Sequence, residues 1–190
     1  MATNARLQSE PMTALQWGSP LTIADLETMP EDGHRYELVD GTLLVTPAPN
    51  TRHQSCVAQL LIILGSAAGS DVKVLPSPYD WVAGSSTLFQ PDVLIARRVD
   101  LGPARLERPP LLVIEVLSPS TRRIDLATKR MAYADAGVAA YWLVDPDVPS
   151  LTVLELEAGG YTELTTVTGD ETWESQTPVR AVITPSLLVD

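Results

Sequence analysis

Six residues, Leu111–Val116, read LLVIEV: five aliphatic side chains and one glutamate. A run this apolar and this rich in β-branched residues predicts a strand buried on both faces. Such a strand has to lie inside a sheet that is covered on each side. Glu115 is the anomaly in it. A carboxylate in that position is costly unless it is paired or coordinates something. The rest of the chain has to supply the partner.

The flanking pattern predicts a mixed α/β sheet with helices on its faces. Residues 1–20 read as a loose polar arm and 21–190 as a single domain, with 45% hydrophobic residues to build its core. Thr22 to Met29 reads as a short helix capped by Thr22 and Asp25. RYELVDGTLLV is a hairpin signal around Asp40-Gly41, a dipeptide that a type I′ turn prefers. Thr51 and Gln54 fit a capping box for a helix with the stripe Cys56, Val57, Leu60, Leu61 and Leu64, stopped near Gly69. VKVL, YDWVA and FQPDVLIA read as strands bounded by Pro, Gly or Ser. Arg123 to Ala136 reads as a helix ended by Gly137, and AAYWLVDP as another buried strand. The unit from Leu111 to Val144 is then a parallel β–α–β crossover. LTVLELEAGGYTELTTV gives a second hairpin around Gly159-Gly160, and RAVITPSLLV a last short strand.

The lone Cys56 excludes an intramolecular disulfide and reads as core filler. VAQLLIILGSAAG is too short and too interrupted to span a bilayer. No charged segment followed by an apolar one opens the chain, so the expected location is the cytoplasm, with no membrane partner.

The net charge of −11 argues against a general nucleic-acid-binding surface. Its distribution is uneven. The stretch Arg97–Arg130 carries eight basic and four acidic residues, a local +4 against −15 elsewhere. It reads either as solvated surface arginines or as a basic rim around Glu115 for a phosphate-bearing partner.

Three acids and a lysine stand out: Glu37 in the first hairpin, Asp92 after Pro91, Glu115, and Lys129 on the next helix. Carboxylates at matching height on neighbouring strands can hold a divalent cation. Mg²⁺ takes one or two carboxylates plus waters and substrate phosphate. The carbonyl of Val116 is a further candidate ligand. A lysine nearby can orient or deprotonate the attacking water, or stabilise developing negative charge. Taken singly, each residue has an ordinary reading. Asp92 fits a strand-entry turn. Asp125 and Lys129 fit a surface i,i+4 pair worth about 0.3–0.5 kcal/mol. Tyr133 fits a packing residue on the Lys129 face. His34 reads as exposed. His53 falls in the first turn of its helix, either as an ordinary surface histidine or as a hydrogen-bonding group at the edge of a site.

Other chemistries fail on inspection. There is no GxxxxGK for a P-loop and no GxSxG. Two scattered histidines and one cysteine give no zinc spacing. Aromatics make up only 5% of the chain, thin for the sugar platforms of a glycosidase.

Pro91-Asp92, an aliphatic strand ending in Glu115, and a downstream lysine resemble the PD-(D/E)xK nuclease superfamily. The D/E-x-K triplet itself is broken, because Glu115-Val116-Leu117 ends in leucine. RYELVDG, PAPNTRHQ, QPDVLIA and IEVLSPSTRRIDLATKRMAYADAGVAAYWLVDP closely resemble the Uma-two branch, whose lysine migrates to the following helix. The resemblance spans roughly Leu21 to Glu157. It implies a restriction-endonuclease-like α/β fold with N-terminal and C-terminal β-hairpins. It implies a metal-dependent nuclease cleaving phosphodiester bonds, of DNA rather than RNA, with Mg²⁺ as cofactor and Mn²⁺ as its substitute. Asp92 and Glu115 match the metal-binding acids and Lys129 the migrated lysine, while Glu37 matches an acid entering from the first strands. His53, Gln90 and Tyr133 fall on motif positions around the site. Arg122, Arg123 and Arg52 are the expected nucleic-acid contacts. Ala140 departs from the pattern, since the family often has an acid before YW. Two other readings stay open: a non-catalytic nucleic-acid- or protein-binding module on the same fold, and a structural homo-oligomer; a homodimer is the expected state and is also compatible with cleavage of two strands.

Overall fold

The computed structural model describes residues 19–189. The arm expected over 1–20 lies, but for its last two residues, outside them. The described residues fold into two sheets and a two-stranded ribbon. After a short helix α1 (Ile23–Leu26), β1 (Arg35–Val39) and β2 (Thr42–Thr46) form the first hairpin. Helix α2 (Thr51–Ala67) follows. Then come β3 (Val72–Pro76), β4 (Asp80–Gly84), β5 (Thr87–Phe89), β6 (Val93–Arg97), β7 (Arg105–Leu106) and β8 (Leu112–Val116). A π-helical turn (Ile124–Lys129) runs into α3 (Arg130–Asp135). The chain closes with β9 (Ala140–Asp145), β10 (Ser150–Glu157), β11 (Gly160–Thr168), β12 (Trp173–Ser175) and β13 (Ala181–Ile183).

The larger sheet has the order β11-β10-β9-β8-β6-β3, and the smaller one β2-β1-β5-β4-β7. As the apolar run predicts, β8 is central and buried along its whole length. Its pairing with β9 is parallel and that with β6 antiparallel, so the sheet is mixed. The alternation of side chains along β8 divides the core in two. Ile114 and Val116 face the stripe Cys56, Val57, Leu60 and Leu64 of α2. Val113 and Leu117 face Trp81 and Phe89 of the smaller sheet, together with Tyr133 and Tyr141. Glu115, between Val113 and Leu117, belongs to this second face. It therefore lies between the two sheets.

Several boundaries differ from the sequence expectation, each for a local reason. FQPDVLIA is two strands. Pro91 has no N–H to donate, and the chain passes there from β5 of the smaller sheet to β6 of the larger one. Helix α2 is capped by Asn50 rather than Thr51: the Asn50 Oδ1 accepts from the His53 amide at 2.9 Å. The second hairpin turns at Ala158-Gly159, one residue early, where both residues have positive φ. Cys56 is core filler as expected, and burial pushes its thiol up to about 11.

The Asp40-Gly41 turn does form, with φ of 48° and 77°. Gly41 is also required by a close approach, because a Cβ there would lie 2.5 Å from the Cβ of Pro20. Gly41→Ala is expected to destabilise the protein by about 1–3 kcal/mol, from backbone strain plus the displacement of Pro20. Chemical denaturation of the variant measures this.

Candidate active site

The site is built where β5 hands over to β6 and where β8 ends. Asp92 lies immediately before β6 and is 2% exposed. Its Oδ2 accepts from the Val116 amide at 2.9 Å and from His53 Nε2 at 3.0 Å, and its Oδ1 accepts from Arg35 Nη1 at 2.8 Å. Glu115 is 1% exposed, and its Oε1 accepts from Lys129 Nζ at 2.9 Å and from the Tyr133 hydroxyl at 2.6 Å. Glu37 Oε2 lies 3.0 Å from the same Nζ, and Glu37 Oε1 accepts from the Gln90 amide at 2.8 Å. Asp125 Oδ1 is 3.8 Å from Nζ. The partner Glu115 requires is therefore Lys129, shared among three carboxylates.

The local structure explains this convergence. Arg35 and Glu37 are two residues apart on β1 and so share a face. Lys129 and Asp125 lie on a π-helical turn, where an extra residue per turn shifts the side chains from their α-helical directions. The surface ion pair expected of Asp125 and Lys129 is thus corrected: both side chains are buried. His53 is also buried and hydrogen-bonded rather than an ordinary surface residue, whereas His34 is exposed. Tyr133 packs on Trp81, Phe89 and Tyr141 and aims its hydroxyl at Glu115.

Of the residues expected around the cluster, Glu37, His53, Gln90, Asp92, Glu115, Lys129 and Tyr133 come together. In extended backbone the amide and carbonyl of one residue leave on the same side, so the Val116 carbonyl points to the Asp92 side with its amide. The arginines do not close around Glu115. Arg122 is held by Asp145 at 2.6 Å, Arg52 lies 3.6 Å from Asp147, and Arg123 is exposed. Arg97 is at the opposite end of β6 from Asp92, about 17 Å along the strand. The basic stretch therefore reaches Glu115 only through Lys129. Arg35, which the sequence pattern does not single out, and Asp125, expected only as a surface partner of Lys129, also belong to the cluster. The signal for Arg35 is its position two residues before Glu37 in a strand.

A pocket of about 520 Å³ opens onto the cluster. Arg35, His53 and Asp92 line it, with Asn50 and Gln54 of the α2 N-terminus and the Ser118–Thr121 loop. Glu115 and Lys129 are buried beyond them.

The electrostatics separate the acids. Burial opposes the charge of Asp92, but its hydrogen bond to His53 and the nearby Arg35 outweigh it and hold the carboxyl well below the usual range. Burial pushes Glu115 up to about 8, against the pull of Lys129 and with added push from Asp92, Asp125 and Glu37. Burial likewise raises Asp125. For Lys129 burial is outweighed by Glu115, Glu37 and Asp125, so its pKa is raised and it keeps its proton at neutral pH. A carboxyl raised in the folded state adds stability that is complete below its ordinary value of 4.5 and is lost as pH rises through about 8. Wild-type thermal stability is therefore expected to fall between pH 6 and pH 8.5, and Glu115→Gln to flatten that slope. A wild type equally stable at both values, measured by calorimetric melts, would remove the burial effect on Glu115.

The family model for Uma2, described as "Putative restriction endonuclease", matches residues 23–186. The chain belongs to the Uma2 family. Its fold is similar to that of a protein from Anabaena variabilis ATCC 29413 whose crystal structure is described as "a putative nuclease belonging to DUF820". That match has a TM-score of 0.69 at 17% identity and covers 90% of this chain and 98% of the other. No curated protein matches the chain. Membership in Uma2 places the cluster in a restriction-endonuclease-like nuclease family, and the mixed sheet flanked by helices agrees with that fold.

Proposed function

We propose that this Uma2 protein is a metal-dependent phosphodiesterase acting on DNA, with 21–190 as its single nuclease domain. The observation that carries the reading is the buried convergence of Asp92, Glu115 and Lys129, of which Asp92 lines an open pocket. The donor set fits a hard divalent cation. Asp92, Glu115 and the Val116 carbonyl would hold it through oxygen, the donor type that Mg²⁺ takes. Among the described residues, Glu37 Oε2 and Asp125 Oδ1 are buried oxygens without a hydrogen-bond partner. Lys129 is shared among Glu37, Asp125 and Glu115, so its single charge leaves these buried carboxylates short of positive charge, which a cation would supply.

The chemistry that Mg²⁺, or Mn²⁺ in its place, supplies is polarisation of a phosphoryl oxygen and a more acidic attacking water. The chain's own residues do the rest. His53 and the Val116 amide fix Asp92, and Tyr133 fixes Glu115. Lys129, protonated, orients water and stabilises charge developing on the phosphoryl oxygens, rather than taking a proton. Arg122, Arg123 and Arg52 hold the nucleic-acid backbone, and the acidic remainder limits non-specific binding. Among the described residues no helix is long and apolar enough to cross a membrane. A cytoplasmic location and a homodimer, tested by light scattering, complete the proposal.

The test is cleavage of single-stranded and duplex DNA and of RNA with Mg²⁺ or Mn²⁺. Metal-dependent cleavage of DNA that exceeds that of RNA is expected. A second reading, a non-catalytic binding module, draws on one observation. Among the described residues no group of three or more acid, histidine or cysteine side chains is arranged to hold a metal ion, and Arg35 and Lys129 already occupy the acids. Nucleic-acid binding without cleavage under any metal would favour it.

A further inference from the structure

We propose that Arg35 is the resident counter-ion of the cluster, competing with a divalent cation at Asp92 and yielding to it when a phosphate group draws the guanidinium away. This rests on the metal-dependent reading above. Arg35 Nη1 donates to Asp92 Oδ1 at 2.8 Å and to the Gln90 carbonyl at 3.0 Å. Its Nε, 3.9 Å from Glu37 Oε2, is buried and has no hydrogen-bond partner among the described residues. The guanidinium thus leaves part of its donor fork unused where it now sits.

The two cations of the cluster differ in freedom. The Lys129 side chain is 3% exposed and enclosed by carboxylates, whereas that of Arg35 is 17% exposed and lines the pocket. Arg35 has a way out and Lys129 does not. A divalent ion on Asp92 Oδ1 would meet the guanidinium at contact distance, and like charges so close oppose each other. The pocket in front of Arg35 is where a phosphodiester has to enter to reach Asp92. A guanidinium matches phosphate with two parallel hydrogen bonds, which would use the donors now idle. Phosphate that takes Arg35 from Asp92 therefore raises metal affinity, and by linkage metal raises phosphate affinity equally.

Calorimetric titration of Mn²⁺ tests this, with and without saturating thymidine 5′-monophosphate as the phosphate probe. Wild type is expected to bind Mn²⁺ weakly alone and at least tenfold tighter with the nucleotide. Arg35→Gln is expected to bind Mn²⁺ alone at least tenfold tighter than wild type and to lose the nucleotide effect, with Arg35→Lys between them. Asp92→Asn, the control, is expected to abolish binding. If Arg35→Gln binds Mn²⁺ no tighter than wild type while Asp92→Asn abolishes binding, the metal site stands and the role of Arg35 is overturned. Absence of Mn²⁺ binding in wild type and Arg35→Gln alike, with nucleotide or without, overturns both readings. Should Arg35→Gln fail to fold, wild-type melting decides. A shift with Mn²⁺ plus nucleotide larger than the sum of the separate shifts supports the coupling, and an additive one refutes it.

Discussion

Glu115→Gln is expected to abolish cleavage while leaving the fold intact and, at pH 8, no less stable than wild type. The amide keeps an oxygen for Lys129 and Tyr133, which bond to a single oxygen of Glu115. It removes a buried charge whose protonation is favoured up to about 8. What it loses is an anionic ligand. Outer-shell partners of a metal typically cost about 10–100-fold in activity when removed, so loss of a ligand itself should exceed roughly a hundredfold. Stability and activity are thus expected to move apart. Cleavage kinetics and thermal melts on one preparation check this. A stable Glu115→Gln that still cleaves would take Glu115 out of the mechanism.

Lys129→Ala is expected to have the largest effect on stability and to abolish cleavage as well. Lys129 lies within 4 Å of Glu37, Glu115 and Asp125, all buried. Breaking a buried ion pair from one side costs about 3–5 kcal/mol. For a chain of this size that corresponds to a fall in Tm of roughly 10 °C. The orphaned acids can recover part of the loss by taking up protons, which their burial favours. The deficit relative to wild type should therefore be smaller at pH 5 than at pH 8, as melts at the two values would record. A pH-independent deficit would mean that Lys129 contributes mainly packing.

The elements that read clearly from sequence are those with a strong local pattern. An aliphatic run with one glutamate specifies β8 as a central strand, and Asp-Gly between two alternating runs specifies the first hairpin. Spacing also reaches part of the cluster, because Asp92 follows a proline and Glu115 contradicts its surroundings. What escapes is where two periods compete. Asp125 and Lys129 at i,i+4 look like a surface pair under α-helical geometry and become buried on a π-helical turn. FQPDVLIA looks continuous, and only the tertiary structure assigns its halves to different sheets. Arg35 gives no composition signal, since one arginine at the start of a strand is ordinary. Its significance depends on Asp92, which is distant in sequence and 2.8 Å away in space. The basic stretch misleads for the same reason: neighbours along β6 and its following loop are far apart across the molecule.

The most direct test of a metal-dependent site is Mn²⁺ binding in the presence of saturating thymidine 5′-monophosphate, followed by calorimetry in wild type, Asp92→Ala and Glu115→Ala. Each variant is first checked for folding by circular dichroism. Binding in wild type that disappears in both folded variants is the predicted result. No binding in wild type, or equal binding in all three, would contradict it and leave Glu115 a structural acid neutralised by Lys129.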